Sequence, residues 1–265
     1  MSELSRRTIL RGLGAGAGVA VAAPGALAGT AEAAAPVPPA RNGDNPVVRE
    51  NGAPGSDRWA VGCAETCGVD PVRPQIAGRL DRDSVAPGET LRLRLSRPGA
   101  TVSVYRVGHY GGVRARHLLT ATDAGTVWTL KVPDAWVSGL FLAVLTTPDG
   151  YRAHVRFVVR EPARASGVLH LVSGKGGAEA SVVRWLEEEG YDVTYATVGD
   201  VRAGRVDPAR YGVLTHIGSR PVAARGARAV ALPRPFALSE PGRIEEEARR
   251  AASEGIERAV SRSRS

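Results

Sequence analysis

Two cysteines and one methionine are all the sulfur in 265 residues, and aromatic residues make up only 5%. So little cysteine excludes a disulfide-dense scaffold, and two thiols with no histidine nearby exclude a zinc site, which takes four ligands. The thin aromatic supply leaves material for one large core or two small ones. Lysine is nearly missing: of 35 basic residues only Lys131 and Lys175 are lysines, and the arginines are scattered through every segment. The net charge of +8 therefore has no basic run behind it. Without aromatics interleaved among the arginines, the chain is not read as a nucleic-acid binder. Such scattered charge suits adhesion to anionic surfaces.

What is present begins at the N-terminus. Ser5-Arg6-Arg7-Thr8-Ile9-Leu10-Arg11 is a twin-arginine pattern, followed by a short apolar run from Leu13 to Ala23. That run is too short for a spanning helix, which needs about 20 residues, so no membrane span is expected in the mature chain. Small-residue cleavage sites follow at Ala26-Leu27-Ala28 and Ala31-Glu32-Ala33. Residues 1–33 are read as a twin-arginine signal peptide, and the protein as secreted or extracytoplasmic. Their removal takes three arginines and two glutamates, so the charge falls from +8 to +7. In an oxidising compartment Cys63 and Cys67, spaced C-x3-C, are expected to form a local disulfide.

Residues 34–45, with Pro36, Pro38 and Pro39, read as an extended linker. From Gln75 the pattern becomes short strands. Leu91, Leu93 and Leu95 alternate with Arg92 and Arg94, Thr101 to Val107 alternates again, and Gly139 to Thr146 is almost continuously apolar. Pro148-Asp149-Gly150 supplies a hairpin turn into Tyr151 to Arg160. Six or seven strands without an intervening helix predict a mainly β fold, an immunoglobulin-like β-sandwich over 46–161. After Glu161-Pro162 the pattern changes to β-α-β: a buried strand at Val168 to Val172, a helix over Ala178 to Glu189 ending at Gly190, and strands at Tyr191 to Val198 and Tyr211 to His216. Residues 166–232 read as a partial α/β segment with a parallel sheet. Residues 233–265 read as a tail holding one charged helix with little apolar face.

Several stretches resemble the N,N-dimethylformamidase large (β) subunit family. Asn45-Pro46-Val47-Val48-Arg49-Glu50-Asn51 is similar to its opening, and Tyr105-Arg106-Val107-Gly108-His109-Tyr110-Gly111-Gly112 to its V-Y-R-x-G-W-Y-G-G signature, with His109 where tryptophan is usual. Val132-Pro133-Asp134-Ala135-Trp136-Val137-Ser138-Gly139-Leu140-Phe141 is the strongest match. Trp185 to Tyr195 resembles a block from the family's α/β catalytic domain. Thr215-His216-Ile217-Gly218-Ser219-Arg220 stands where the family has G-H-D-E-Y-W, so the acidic and aromatic positions are replaced. The resemblance implies a mononuclear iron hydrolase with tyrosine and glutamate ligands, and the ligand set has no counterpart on this chain.

The residues themselves point the same way. Glu187, Glu188 and Glu189 are consecutive on a helix and point to different faces, as a solvated helix end does. Tyr191 and Tyr195 share one face of a strand, and Tyr211 precedes the next. His216 ends a strand where α/β folds place ligands, although a lone histidine there is more often structural. His109 reads as a surface residue. Ser173-Gly174-Lys175-Gly176-Gly177 joins strand to helix but lacks P-loop spacing, and Glu179 stands at the third glycine of a dinucleotide fingerprint. No G-x-S-x-G is present, and Ser173 shows no histidine and acid partners in sequence.

The expectation is therefore an exported, non-catalytic binding or scaffold module, with no catalytic residue, cofactor or metal site, its partner a surface polymer or a second subunit. The alternative is a hydrolase of C–N bonds in small amides that depends on a partner subunit, with iron as cofactor. The sandwich is expected to fold alone, with protease cutting first between Glu161 and Gly167 or after Val198. Export makes the first prediction. Changing Arg6→Lys with Arg7→Lys is expected to abolish secretion, and mass spectrometry of the secreted wild-type chain to find its N-terminus just after Ala28 or Ala33.

Overall fold

A computed structural model of the chain describes residues 41, 43–60, 74–173, 178–217, 228–232 and 243–261. The export signal with Arg6 and Arg7, both cleavage sites and the Cys63–Cys67 pair lie outside them. Helix α1 (Pro46–Asn51) starts where Asn45 caps it: the side chain accepts the Val48 N–H at 2.9 Å, and Pro46 fits the first turn. Eight strands follow: β1 (Gly78–Leu80), β2 (Ser84–Val85), β3 (Thr90–Leu95), β4 (Ala100–Val107), β5 (Ala115–Ala124), β6 (Val127–Lys131), β7 (Gly139–Thr146) and β8 (Arg152–Val159).

They form two sheets, β1-β3-β6 and β2-β8-β7-β4-β5. The chain changes sheet between Leu80 and Ser84, so β2 pairs in parallel with β8 while its neighbours are antiparallel. The period-two pattern of β3 is realised as read, with Leu91, Leu93 and Leu95 buried and Arg92 and Arg94 exposed. These leucines meet Val102, Val104, Phe141, Leu145 and Phe157 from the larger sheet, and a stacked Trp136–Phe141–Phe157 series closes one end. This is the immunoglobulin-like sandwich, and the fold is mainly β.

Strand β7 shows why its sequence is continuously apolar. Phe141, Ala143 and Leu145 enter the sandwich core, while Leu140, Leu142 and Val144 belong to a second core on the other face of the same sheet. A strand covered on both sides has no polar face to show.

The cover is the C-terminal half. Strand β9 (Val168–Val172), helix α2 (Ala178–Glu188), β10 (Val193–Thr197), α3 (Val198–Arg202), β11 (Val213–Ile217), β12 (Arg228–Leu232) and α4 (Arg243–Ser261) follow in order. The sheet is parallel, ordered β10-β9-β11-β12. Its fourth strand is short and stands beyond the point where the sequence pattern stops being legible. One face is covered by α2 and α4 and shares a core with the sandwich: Val182, Trp185 and Leu186 of α2 cluster with Leu140, Leu142, Val144 and Val158. The other face, with Leu169, Leu171 and Leu214, is closed by Val206 and Tyr211 and by Val198 and Val201 around α3.

Three sequence readings change here. The sheet has four strands, not three. The charged C-terminal helix is not a free tail: Ala252 and Ile256 are buried in the shared core, so its narrow apolar stripe seals the sheet. The linker segment is anchored where it is described, with the Arg41 guanidinium 4.5 Å from the Tyr191 ring and Asn45 bonded to the Gly190 carbonyl at 3.3 Å.

The join between the halves is also pinned. Arg164 bonds Glu161 at 3.0 Å and Asp192 at 2.6 Å, Ser166 is fully buried, and Arg210 holds the Pro162 carbonyl at 2.8 Å. A sandwich cut free at Glu161 would expose Leu140, Leu142, Val144 and Val158. The expectation of an independently folding sandwich is therefore replaced by its opposite. The two halves should unfold in one transition, and protease should not cut first between Glu161 and Gly167. Trp185→Ala, made in the α/β half, should cost about 3–5 kcal/mol and lower the melting of the sandwich signal with it. Circular dichroism and limited proteolysis together check this.

Candidate functional site

Two polar clusters stand out among the described residues. The first sits at the carboxyl ends of the parallel strands. The strand order reverses between β9 and β11, which is where such sheets take ligands. His170 of β9 and Thr215 of β11 are register partners, and His170 Nδ1 lies 3.0 Å from Thr215 Oγ1. His170 Nε2 lies 3.1 Å from Glu179 Oε2 in the first turn of α2. The other Glu179 oxygen accepts the Ser173 N–H at 2.8 Å and the Ser173 hydroxyl. His170, Glu179 and Thr215 are fully buried and Ser173 is exposed. Ser173 also borders a cavity of about 140 Å³ toward the sandwich, lined with Asp83, Arg156, Phe157, Thr197 and Gly199.

The order in this chain is serine, glutamate, histidine. An acyl-transfer triad needs the imidazole beside the hydroxyl, and here the carboxylate intervenes. Burial alone would raise the Glu179 carboxyl's pKa, but the bonds from His170 and Ser173 outweigh it and hold the group below the usual range. An anion so well satisfied is a poor proton acceptor at neutral pH. His216 does not join the cluster. It pairs in register with Leu171, on the other side of the sheet, and burial pushes its imidazole's pKa down.

The second cluster lies between the sandwich and α2. Arg106, in the signature segment of β4, donates to both oxygens of Glu187, at 3.0 and 2.8 Å. The same guanidinium reaches Tyr110 Oη at 3.1 Å and the Ser138 carbonyl at 2.8 Å. Glu187 further accepts from Asn51 Nδ2 at 2.7 Å and from Tyr195 Oη at 3.1 Å. Tyr110 donates on to Glu50 at 2.8 Å, which Arg116 holds at 2.9 Å through both oxygens. Asn51 accepts the His109 and Tyr110 N–H groups at 2.7 and 3.0 Å, which ties α1 to the signature. Gly108 of that signature and Gly139 at the start of β7 follow from the packing. A Cβ on Gly108 would strike the Glu187 carboxylate, and one on Gly139 would come within 2.8 Å of Arg106 Nε.

This corrects the reading of the three glutamates as a solvated end. They do point to different faces, but the face of Glu187 is the interior, while Glu188 meets Arg249 at 3.0 Å and Glu189 faces Arg41 at 3.5 Å. Tyr191 precedes the strand instead of lying within it, although its ring and that of Tyr195 share the same core. His109 is half-buried and keeps its place through its backbone.

The cluster also tests the iron that the family resemblance implies. Tyr110, Tyr195 and Glu187 present the right donor atoms, but they converge on a guanidinium. Burial first, and then the Glu187 carboxylate, raise the pKa of Tyr195 well above its ordinary value. Burial likewise raises Tyr110, against the opposing pull of Arg106. Both phenols stay protonated, and a fixed cation already fills the centre. These residues do not fit an iron ion.

Comparison with known proteins agrees with the sandwich. Residues 101–176 match the family described as N,N-dimethylformamidase beta subunit-like, C-terminal. Over this stretch the chain is similar to that family. The matched residues hold the signature, nearly all of β4, β5 to β8, β9 and Ser173. None of the curated proteins compared with the chain matches it. Among solved structures, the chain is similar to an uncharacterized protein from Bacillus anthracis, at 14% identity over 30% of this chain and 78% of that one, TM-score 0.26. Superoxide reductase (neelaredoxin) from Ignicoccus hospitalis is 13% identical over 31% and 77%, TM-score 0.22. The sporulation control protein Spo0M from Bacillus subtilis is 12% identical over 43% and 54%, TM-score 0.22. Among the described residues no helix is long and apolar enough to cross a membrane.

Sequence reading missed Arg106, His170 and Glu179 as partners. One signal was available: a histidine inside an apolar strand, and an arginine inside a buried one, each need an acid somewhere. The Arg106–Glu187 pair yields a test. Glu187→Ala leaves a buried charge unpaired and should cost about 3–5 kcal/mol, whereas Arg106→Met combined with Glu187→Leu should recover most of that loss. Urea denaturation of the parent and the two variants measures it.

Proposed function

We propose that this chain is an exported module of the N,N-dimethylformamidase beta subunit-like kind that binds or scaffolds and does not catalyse. One observation carries the reading: of the oxygens that could hold a metal, those of Tyr110 and Glu187 are spent on Arg106, and the Tyr195 hydroxyl is spent on Glu187. The stretch at His216, where the family resemblance calls for an acid and aromatics, offers neither. The export pattern at Arg6 and Arg7 and the Cys63–Cys67 pair belong to the same proposal, with a surface polymer as the ligand class.

A second reading has an observation of its own. The Ser173–Glu179–His170–Thr215 chain borders a cavity at the strand ends, and a partner subunit could complete it as a hydrolase of C–N bonds in small amides. The purified chain should contain no stoichiometric iron by elemental analysis and should not release amine from dimethylformamide. Iron at one equivalent together with turnover overturns the proposal. Turnover abolished by Ser173→Ala, in a variant that still melts like the parent, places the activity at the strand ends.

A further inference from the structure

The outward face of the five-stranded sheet is not uniform. Where α2 covers it, it shows Leu140, Leu142, Val144 and Val158. Beyond that cover it becomes a polar groove of about 670 Å³. His117 and Thr120 come from β5, Ser103 and Tyr105 from β4, Thr146 from β7 and Arg152 from β8. These are four adjacent strands, so the groove crosses the sheet over about 14 Å at the usual interstrand spacing. Its floor is preorganised. His117 Nε2 lies 2.8 Å from Thr120 Oγ1, Thr120 lies 3.0 Å from Ser103 Oγ, and the Tyr105 and His117 rings are 5.2 Å apart.

One wall is the segment after α1, carrying Ser56 and Arg58. Three bonds fix it: Ser56 N–H to the Ala115 carbonyl at 2.8 Å, Trp59 Nε1 to the Val113 carbonyl at 3.2 Å, and Arg152 to the Ala60 carbonyl at 2.9 Å. Arg152 also donates to the Arg58 carbonyl. The guanidinium of Arg152 is thereby locked at the rim while keeping its charge, and the Arg58 side chain is exposed beside it. Among the described residues no carboxylate lines the groove. The nearby acid Glu50 is already neutralised by Arg116.

We propose that this groove binds an acidic polysaccharide, a sugar chain bearing carboxylates. The proposal rests on the binding-module reading and names its ligand. Two arginines that no acid opposes among the described lining residues call for an anion. The hydroxyls of Ser103, Thr120 and Thr146 and the imidazole of His117 call for a ligand that offers donors and acceptors between its charges, as sugar rings do. The length across four strands calls for a polymer. Nucleic acid is disfavoured by the same surface: Tyr105 is 4% exposed, so the face of its ring is not free for a base to stack on.

Calorimetric titration of the purified chain with polygalacturonate, a neutral maltooligosaccharide and polyglutamate tests it. Polygalacturonate is expected to bind, more weakly as salt rises, and the other two at least about tenfold less well. Arg58→Ala and His117→Ala should each weaken binding by roughly tenfold, about the loss of one charge-assisted hydrogen bond. Arg94→Ala, on the outward face of the other sheet, should leave it unchanged. Absence of binding overturns the proposal. Equal binding of polyglutamate overturns it too, since charge alone would then suffice, and so does equal weakening by Arg94→Ala. None of these results touches the non-catalytic reading, which fails instead on iron content and turnover.

Discussion

Arg106 and Glu187 are both sealed from solvent, one on a strand of the sandwich and the other on the first helix of the α/β half. An ion pair in such a place contributes little net stability, because desolvating two charges offsets most of their attraction. What it imposes is a register. The bidentate fork closes only when α2 lies across the sheet at one height and one angle, and any slip strands a charge in an apolar core. Around it the sequence makes room and supplies partners: Gly108 and Gly139 clear space, Tyr195 and Asn51 fill the remaining lone pairs of the carboxylate, and Ser138 accepts from the guanidinium. Burial in itself opposes the charge on Arg106, but Glu187 raises its pKa further still, so the pair stays ionised.

Much of the rest follows from that placement. With α2 fixed over β7, the parallel sheet is brought alongside the sandwich. Ser138 joins the two by accepting the Tyr195 N–H at 2.9 Å and donating to the Val159 carbonyl at 2.9 Å. The aliphatic side chains of the shared core then fill the space between. The family signature from Tyr105 to Gly112 is thus explained by packing and charge. Its arginine is an anchor, Gly108 is a clearance, Gly111 and Gly112 take positive φ, and its second tyrosine relays the network to Glu50 and α1.

Elements whose own residues decide them were legible in the sequence. Strand β3 shows its burial in strict alternation, the turn at Pro148-Asp149-Gly150 is fixed by a glycine at φ +90°, and α2 stops at Gly190 with φ +70°. What could not be read is what a second element decides. Strand β5 alternates poorly because it is an edge strand with register shifts against β4. Helix α4 looks like a solvated tail because, among its described side chains, Ala252 and Ile256 alone are fully buried. Glu187 is indistinguishable by spacing from Glu188 and Glu189, and only the distant Arg106 makes it interior. The strand-end cluster was hidden for the same reason, since His170, Glu179 and Thr215 are separated by up to 45 residues along the chain.

The distribution of charge follows from these pairings. The chain has 27 acids against 35 lysines and arginines, and several acids are spent inward. Glu187 is held by Arg106 and Glu179 by His170, and Asp200 is buried against Arg205 with its pKa lowered despite the cost of burial. Of these three acids, two neutralise an arginine and one is committed to a histidine and a serine. Arg58, Arg92 and Arg94 stay exposed on the outside. A protein arranged this way meets anions wherever it is exposed. Selectivity then depends on where that charge is accompanied by fixed hydroxyls and an imidazole. Arg92 and Arg94 flank Thr90 on a plain strand face, whereas Arg58 and Arg152 border a walled groove whose floor is already hydrogen-bonded.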